Sequence, residues 1–438
     1  MDKSMNICPL DSRYSDIKEM LSPYFSENSY VKYRLLVEIK WLIYLIDNNI
    51  ISGDISKIMD IYNNYSFKRI KEIESITKHD VKAIEYYIDE KLKEIGLNNL
   101  VSYVHIGLTS EDINNTAYAL MIKDYLDNIY YPRINEFILF LKGLGRKYKN
   151  TVMLAHTHGQ PATPTTIGKE FKVYIYRLEC ELKKLKGIKI KAKFNGATGN
   201  YSALNIIYPQ LNVDKFCKRF IESLNLSFNP LTTQIENHDY IVSLVDITRH
   251  INNIVLDLDL DMWLYISYGY FKLKVIKDEV GSSTMPHKVN PINFENSESN
   301  METSNSLLMM LSNKLPRSRM QRDLSDSSSL RNIGMSFGYS LQGIKECLNG
   351  LKKVSVDKKT LDKELENNYE VLAEPIQTML RKYGIEDAYQ KLKDLTRGKS
   401  ISKKDIIEFV DNLDINDEDK KILKELTPKK YIGLANKL

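Results

Sequence analysis

A chain of 438 residues, 43% hydrophobic and 27% charged, has the make-up of a globular protein of two or three domains rather than one core. Its 62 basic and 57 acidic residues leave a formal charge of only +5, too balanced for non-specific nucleic-acid binding. No apolar run approaches a membrane span, Met1-Asp2-Lys3-Ser4 lacks the apolar core of a signal peptide, and Cys8, Cys180, Cys217 and Cys347 form no paired motif. A reduced, cytoplasmic setting is the expectation.

Pro9-Leu10-Asp11-Ser12-Arg13-Tyr14 precedes the first helical segment. An Arg-Tyr pair offers a guanidinium fork and a ring with a hydroxyl, but an isolated pair is ordinary surface. From Tyr30 to Asn49, Leu35, Leu36, Ile39, Trp41, Leu42, Leu45 and Ile46 recur with helical period. Thr77-Lys78-His79-Asp80-Val81 opens a helix over 82–95 that stops at Gly96, and a lone histidine there reads as a cap or a surface group. Thr109-Ser110-Glu111-Asp112 starts the next helix, with Thr109 and Asp112 spaced as a capping box. Such a start also presents free N–H groups and a positive dipole end, a seat for a carboxylate or phosphate.

In His156-Thr157-His158-Gly159-Gln160-Pro161-Ala162-Thr163-Pro164, the glycine and prolines set an irregular backbone that presents an imidazole in a fixed direction. The His-x-His pair has no further ligands at suggestive spacing, so no metal is expected. Lys183, Lys184, Lys186, Lys189, Lys191 and Lys193 read as a solvated helix face and the turn after it. Asn195 to Tyr201 is a tight Gly/Asn turn without the Walker lysine pattern. Thr232-Thr233-Gln234-Ile235-Glu236 precedes a long helix from Asp239 to about Tyr268. Within it Asp257, Asp259 and Asp261 imitate a calcium loop, but Met262 stands where glycine is required and Tyr268 at the twelfth position.

The most chemically loaded stretch is Gly281-Ser282-Ser283-Thr284-Met285-Pro286-His287-Lys288-Val289-Asn290-Pro291. It combines hydroxyls, a cation and an amide between prolines that rule out continuous helix, which suits closure over a small anion. Helix resumes over 296–313. Arg317, Arg319, Arg322 and Arg331 then mix with Ser327, Ser328 and Ser329, a composition suited to bidentate phosphate recognition, and no aromatic stacking pattern for nucleic acid accompanies them. Shorter helices follow from about Lys352. With no sustained β alternation, the expectation is a mainly α fold of three helical domains: 1–110, a long-helix bundle over 111–351, and 352–438.

Gly-Ser-Ser-x-Met-Pro-x-Lys-x-Asn-Pro at 281–291, followed by Phe294-Glu295-Asn296-Ser297-Glu298, resembles the signature of the fumarase/aspartase superfamily. Together with Arg13-Tyr14, His79-Asp80, Thr109-Ser110 and the His156–Pro164 cluster, it is most similar to the longer, bacterial-type adenylosuccinate lyase family. The resemblance covers nearly the whole chain, with the motifs in the family's order. It implies β-elimination of fumarate from adenylosuccinate, giving AMP, and from the succinylated aminoimidazole-carboxamide ribotide SAICAR, giving AICAR. No cofactor is implied. The partners implied are a small-molecule nucleotide and identical subunits, in a homotetramer whose sites are shared between chains; neither nucleic acid nor membrane is.

The resemblance makes His158 the general acid and Ser282 the general base. It assigns substrate binding to Arg13, Tyr14, His79, Asp80, Thr109, Ser110, Gln234, Ser283, Lys288, Asn290, Asn296, Arg322, Ser327 and Arg331, with Arg322, Ser327 and Arg331 at the phosphate and sugar. Many relatives carry Asn where this chain has Lys78. On chemistry alone, a histidine suits the protonation of a leaving nitrogen. A serine hydroxyl takes a proton from carbon only where an alkoxide is stabilised, and His287 in the same loop is a rival base. Another fumarate-releasing lyase, of the argininosuccinate lyase or aspartase type, and a non-catalytic helical scaffold are the alternatives; a scaffold needs none of His158, Ser282, Lys288 and Asn290.

Overall fold

The computed structural model describes residues 6–275, 284, 285, 287–396 and 401–438. The fold is mainly α. Its longest helices are Asp239–Ser267 (29 residues), Ile292–Lys314 (23), Glu27–Asp47 and Ile333–Lys353 (21 each) and Ile167–Lys186 (20). At 1.5 Å per residue the first is about 43 Å long. None among the described residues is long and apolar enough to cross a membrane. Internal contacts divide the chain into two compact units, each discontinuous in sequence: Met1–Ile134, Glu181–Asn253 and Ser299–Ile344 form one, and Asn135–Cys180, Ile254–Glu298 and Lys345–Leu438 the other.

In the first unit the Glu27–Asp47 helix starts at Ser26, whose hydroxyl accepts from the Ser29 N–H. Its stripe of Val31, Leu35, Ile39 and Leu42 packs in one core with Ile70, Ile73, Ile84 and Ile88. Trp41 is fully buried, with ring centroids 5.0 Å from Phe194 and 5.1 Å from Phe220, and its indole N–H reaches the Ile106 carbonyl at 3.3 Å. Two charges interrupt the apolar stripe, Arg34 and Glu38, and both are buried.

Glu38 lies 2.6 Å from Nδ1 of His105. Burial alone would lower the His105 pKa, but the Glu38 carboxylate more than offsets this and holds it above its ordinary value. A raised folded-state pKa stabilises fully below the unfolded value near 6.5 and ceases to do so as pH rises through the folded value. Denaturant unfolding between pH 6 and 9 should therefore show the wild type losing its advantage over His105→Gln as pH rises. A constant difference across that range would contradict the charged pair.

The second unit contains a hairpin that the sequence pattern did not announce. Val152–Thr157 pairs antiparallel with Gln160–Thr166, from Val152 opposite Thr166 to Thr157 opposite Gln160, with an irregularity between Leu154 and His156. Pro161 and Pro164 argue against a central strand, yet each strand of a two-stranded ribbon has an open edge where proline costs no ladder bond. His158 and Gly159 form the two-residue turn at φ 55° and 73°, the positive values that a type I′ turn requires. Leu154 anchors the ribbon, fully buried with Leu365 and Val371.

Phe271–Leu273 pairs with Val354–Val356, and Ile376, Leu380, Ile406, Val410 and Leu423 centre the C-terminal helices. The aspartates that imitate a calcium loop are otherwise engaged. Asp261 accepts from the Tyr174 hydroxyl, Asp257 pairs with Arg177, and burial pushes the Asp259 carboxyl up to about 8, which disfavours the anion that a calcium ligand must be.

Candidate functional site

In the first unit, two of the expected residues meet at the start of the Asp80–Glu94 helix. Oδ2 of Asp80 takes the Arg34 guanidinium at 2.7 Å and lies 3.7 Å from that of Arg331, while Oδ1 accepts the Val81 N–H at 2.9 Å. Burial would raise the Asp80 pKa, but the Arg34 charge and hydrogen bond hold the carboxyl below its ordinary value. Arg34 is 1% exposed; its Nε donates to Asn114 at 2.8 Å, and its guanidinium lies 3.6 Å from the centre of the Tyr30 ring. Arg331 also pairs with Glu27 at 3.0 Å. Of these groups, Glu27, Tyr30 and Arg331 line a cavity of about 230 Å³, together with Tyr118. Arg34 escaped the sequence reading, although a signal was there: an arginine within the apolar stripe of a core helix.

His79, by contrast, is exposed and caps this helix, with Nδ1 accepting the Lys82 N–H at 3.1 Å. Lys78 ends the preceding helix at φ 54°. That left-handed conformation suits asparagine better than lysine, so the departure at position 78 bears first on the backbone.

A second group forms at the start of the Ser110–Tyr125 helix. Thr109 is its N-cap and closes the expected capping box with Asp112. The Asp112 carboxylate accepts the N–H of Thr109 at 2.9 Å, of Asn195 at 3.0 Å and of Gly196 at 3.2 Å, and it lies 2.9 Å from Nζ of Lys193. Lys193, read above as the end of a solvated run, is in fact fully buried, because this carboxylate and the Gly196 carbonyl replace its water. The turn after it carries Gln234: the Gln234 amide donates to the Ala197 carbonyl at 3.0 Å, and its oxygen accepts Arg322 at 3.1 Å. Arg322 returns to Glu111 at 3.4 Å. Burial raises the Glu111 pKa, and Arg322 only partly offsets it.

Gly199 lets the two segments of this turn approach. It sits at φ 80°, and a Cβ there would stand 2.1 Å from the Thr232 carbonyl oxygen. Gly199→Ala should therefore cost about 3 kcal/mol, from the positive φ and the clash together, measurable as a shift in a denaturant midpoint. A variant as stable as the wild type would rule out the close approach.

The remaining expected residues are more dispersed. Ser327 is half-buried on the short Ser325–Leu330 helix, beside Asp326, which lies 3.3 Å from the buried His238. Arg13 is exposed, and Tyr14 precedes the Ser15–Phe25 helix with its hydroxyl 3.5 Å from the Asn300 amide. In the second unit, His158 stands exposed at the hairpin turn. His156 is built into the base of the same ribbon, stacked on Tyr268 and 3.5 Å from Glu364. Lys288 is exposed, while Asn290 and Asn296 are half-buried, Asn296 within the Ile292–Lys314 helix. Ser282 and Ser283 lie outside the described residues.

The fold is shared with a fumarate lyase from Mesorhizobium sp. BNC1 (TM-score 0.78, 17% identity, 97% of this chain and 96% of that one). It is shared too with the 3-carboxy-cis,cis-muconate lactonizing enzyme of Pseudomonas putida (TM-score 0.77, 18% identity, 96% and 94%). Residues 25–303 match the lyase family and residues 318–432 the adenylosuccinate lyase C-terminal family. These matches define a carbon–nitrogen lyase of the fumarase/aspartase superfamily. The chain is 48% identical to the adenylosuccinate lyase of Legionella pneumophila subsp. pneumophila over 99% of its own length and 97% of the relative's, and 45% identical to that of Escherichia coli K12 over 98% and 96%. It belongs to the adenylosuccinate lyase family.

Proposed function

We propose that this chain cleaves adenylosuccinate to AMP and fumarate, and SAICAR to AICAR and fumarate. The observation that carries the reading is full-length identity near one half to relatives of that name, in a chain that keeps His158, Ser282, Lys288 and Asn290 together. Removing a proton beside a carboxylate builds up a dianion, so the site must offer cations and donors there. Lys288, Asn290 and the Thr109–Ser110 helix start supply them, with Ser283 and Asn296 nearby in sequence. Arg322, Ser327 and Arg331 hold the phosphate and sugar, and Arg13, Tyr14, His79, Asp80 and Gln234 complete the nucleotide end. His158 protonates the departing purine nitrogen. Ser282 takes the carbon-bound proton, and separate substitution of Ser282 and His287 decides between the two bases.

The chain works as a cytoplasmic homotetramer whose sites combine clusters from different subunits. In support, Leu139, Val173, Tyr176, Leu260, Trp263 and Leu264 are all exposed apolar side chains of the second unit, the kind of surface that identical subunits cover. Incubation with adenylosuccinate should yield AMP and fumarate in equal amounts, from a species of four subunits in analytical ultracentrifugation. A folded tetramer that yields neither product would sink the assignment, and a fully active monomer would sink the assembly.

A further inference from the structure

The deepest charges of the first unit are not the expected substrate ligands but the pair behind them. Lys193 and Asp112 are both fully buried, 2.9 Å apart. Such a pair offsets its desolvation only where further hydrogen bonds complete it. Here they do: Asp112 accepts three backbone N–H groups, and Lys193 donates to the Gly196 carbonyl. Asn115 clamps the Lys193 backbone from both sides, accepting its N–H at 2.8 Å and donating to its carbonyl at 3.1 Å.

These contacts belong to a closed ring. Asp112 ties the Thr109 N-cap to the 195–196 turn, that turn ties to Gln234 through Ala197, Gln234 holds Arg322, and Arg322 returns to Glu111, the neighbour of Asp112. The helix start and Arg322 are therefore referenced to one buried pair. We propose that Lys193 and Asp112 are positioning residues: they set the spacing between the carboxylate seat at Thr109–Ser110 and the phosphate seat at Arg322, while touching neither end of the ligand. This rests on the proposed function, which makes those two groups the seats. It separates the binding of a two-ended ligand from the binding of its halves. Geometry held to within about 0.5 Å matters for a molecule that engages both seats and is irrelevant to a fragment that engages one.

The test uses the tetrameric enzyme and the double variant Lys193→Met/Asp112→Asn, which removes both charges at similar volume and leaves an amide oxygen for the Thr109 N–H. KM and kcat are measured for adenylosuccinate, along with the inhibition constants of AMP and of fumarate. The expected result is KM raised by about tenfold or more, with both inhibition constants within about twofold of the wild type and the melting transition retained. An unchanged KM in the folded variant overturns the proposal. So does a rise in the AMP constant by the same factor as KM, the signature of general loosening. Should the double variant not fold, Lys193→Arg, which keeps the charge and shifts its position, is judged by the same ratio of KM change to AMP change. Wild-type turnover is the separate control: its absence defeats the functional reading, whereas turnover with an unchanged ratio defeats only the positioning role.

Discussion

His158→Asn should lower turnover of adenylosuccinate by about 10²–10⁴-fold, the range that a positioned general acid supplies, with KM little altered. Asparagine is the informative replacement because of the backbone. His158 sits at φ 55° in a two-residue turn, and asparagine is among the few residues that take up the left-handed region readily. The hairpin therefore keeps its register, and the lost activity reports the missing proton rather than a displaced strand. Alanine would mix the two effects. A leaving group that needs no protonation gives the complementary readout: turnover of such an analogue should be nearly the same in variant and wild type. If His158→Asn retains more than about a tenth of wild-type kcat, no general acid acts there.

The second large effect concerns stability. Arg34 is 1% exposed and bonded to Asp80 and Asn114. Arg34→Met fills most of the space but takes from the half-buried Asp80 carboxylate its 2.7 Å partner and from the buried Asn114 amide oxygen one of its two donors, leaving the Tyr30 hydroxyl at 3.2 Å, and breaking a buried pair from one side costs about 3–5 kcal/mol. Arg34→Met/Asp80→Asn should recover a large part of that loss, because no charge is then stranded. The pH dependence follows from the depressed pKa of Asp80. A lowered folded-state value contributes stability above the ordinary carboxylate value near 3.9, and that contribution is lost as pH falls through the folded value. The gap between wild type and Arg34→Met in urea unfolding should thus be full at pH 7 and narrow below about pH 4. A gap that does not change with pH would mean that Arg34 acts through packing alone.

What the sequence disclosed was local. The capping box at Thr109–Asp112 and the helix from Asp239 were legible because cap spacing and the 3.6-residue period act over one or two turns. What it withheld depends on partners far along the chain. Arg34 finds Asp80 and Asn114 at separations of 46 and 80 residues, and nothing beside it in sequence points there. Lys193 follows a run of lysines that signals solvation, yet it ends on a carboxylate from another helix. The hairpin was hidden by its prolines, which are tolerated because the ribbon has only two strands.

The joint burial of Lys193 and Asp112 also shapes how this chain can diverge. Replacing either alone strands an ion in the interior and costs several kcal/mol, a large fraction of the roughly 5–15 kcal/mol that separates a folded domain from its unfolded state. Descendants can alter the pair only by near-simultaneous change at both codons or after some other substitution has supplied spare stability. The exposed Lys183 and Lys189 carry no such mutual constraint and are free to drift one at a time. Lysines of one run are therefore under opposite selective regimes, and the difference is set by a carboxylate that none of them neighbours in sequence.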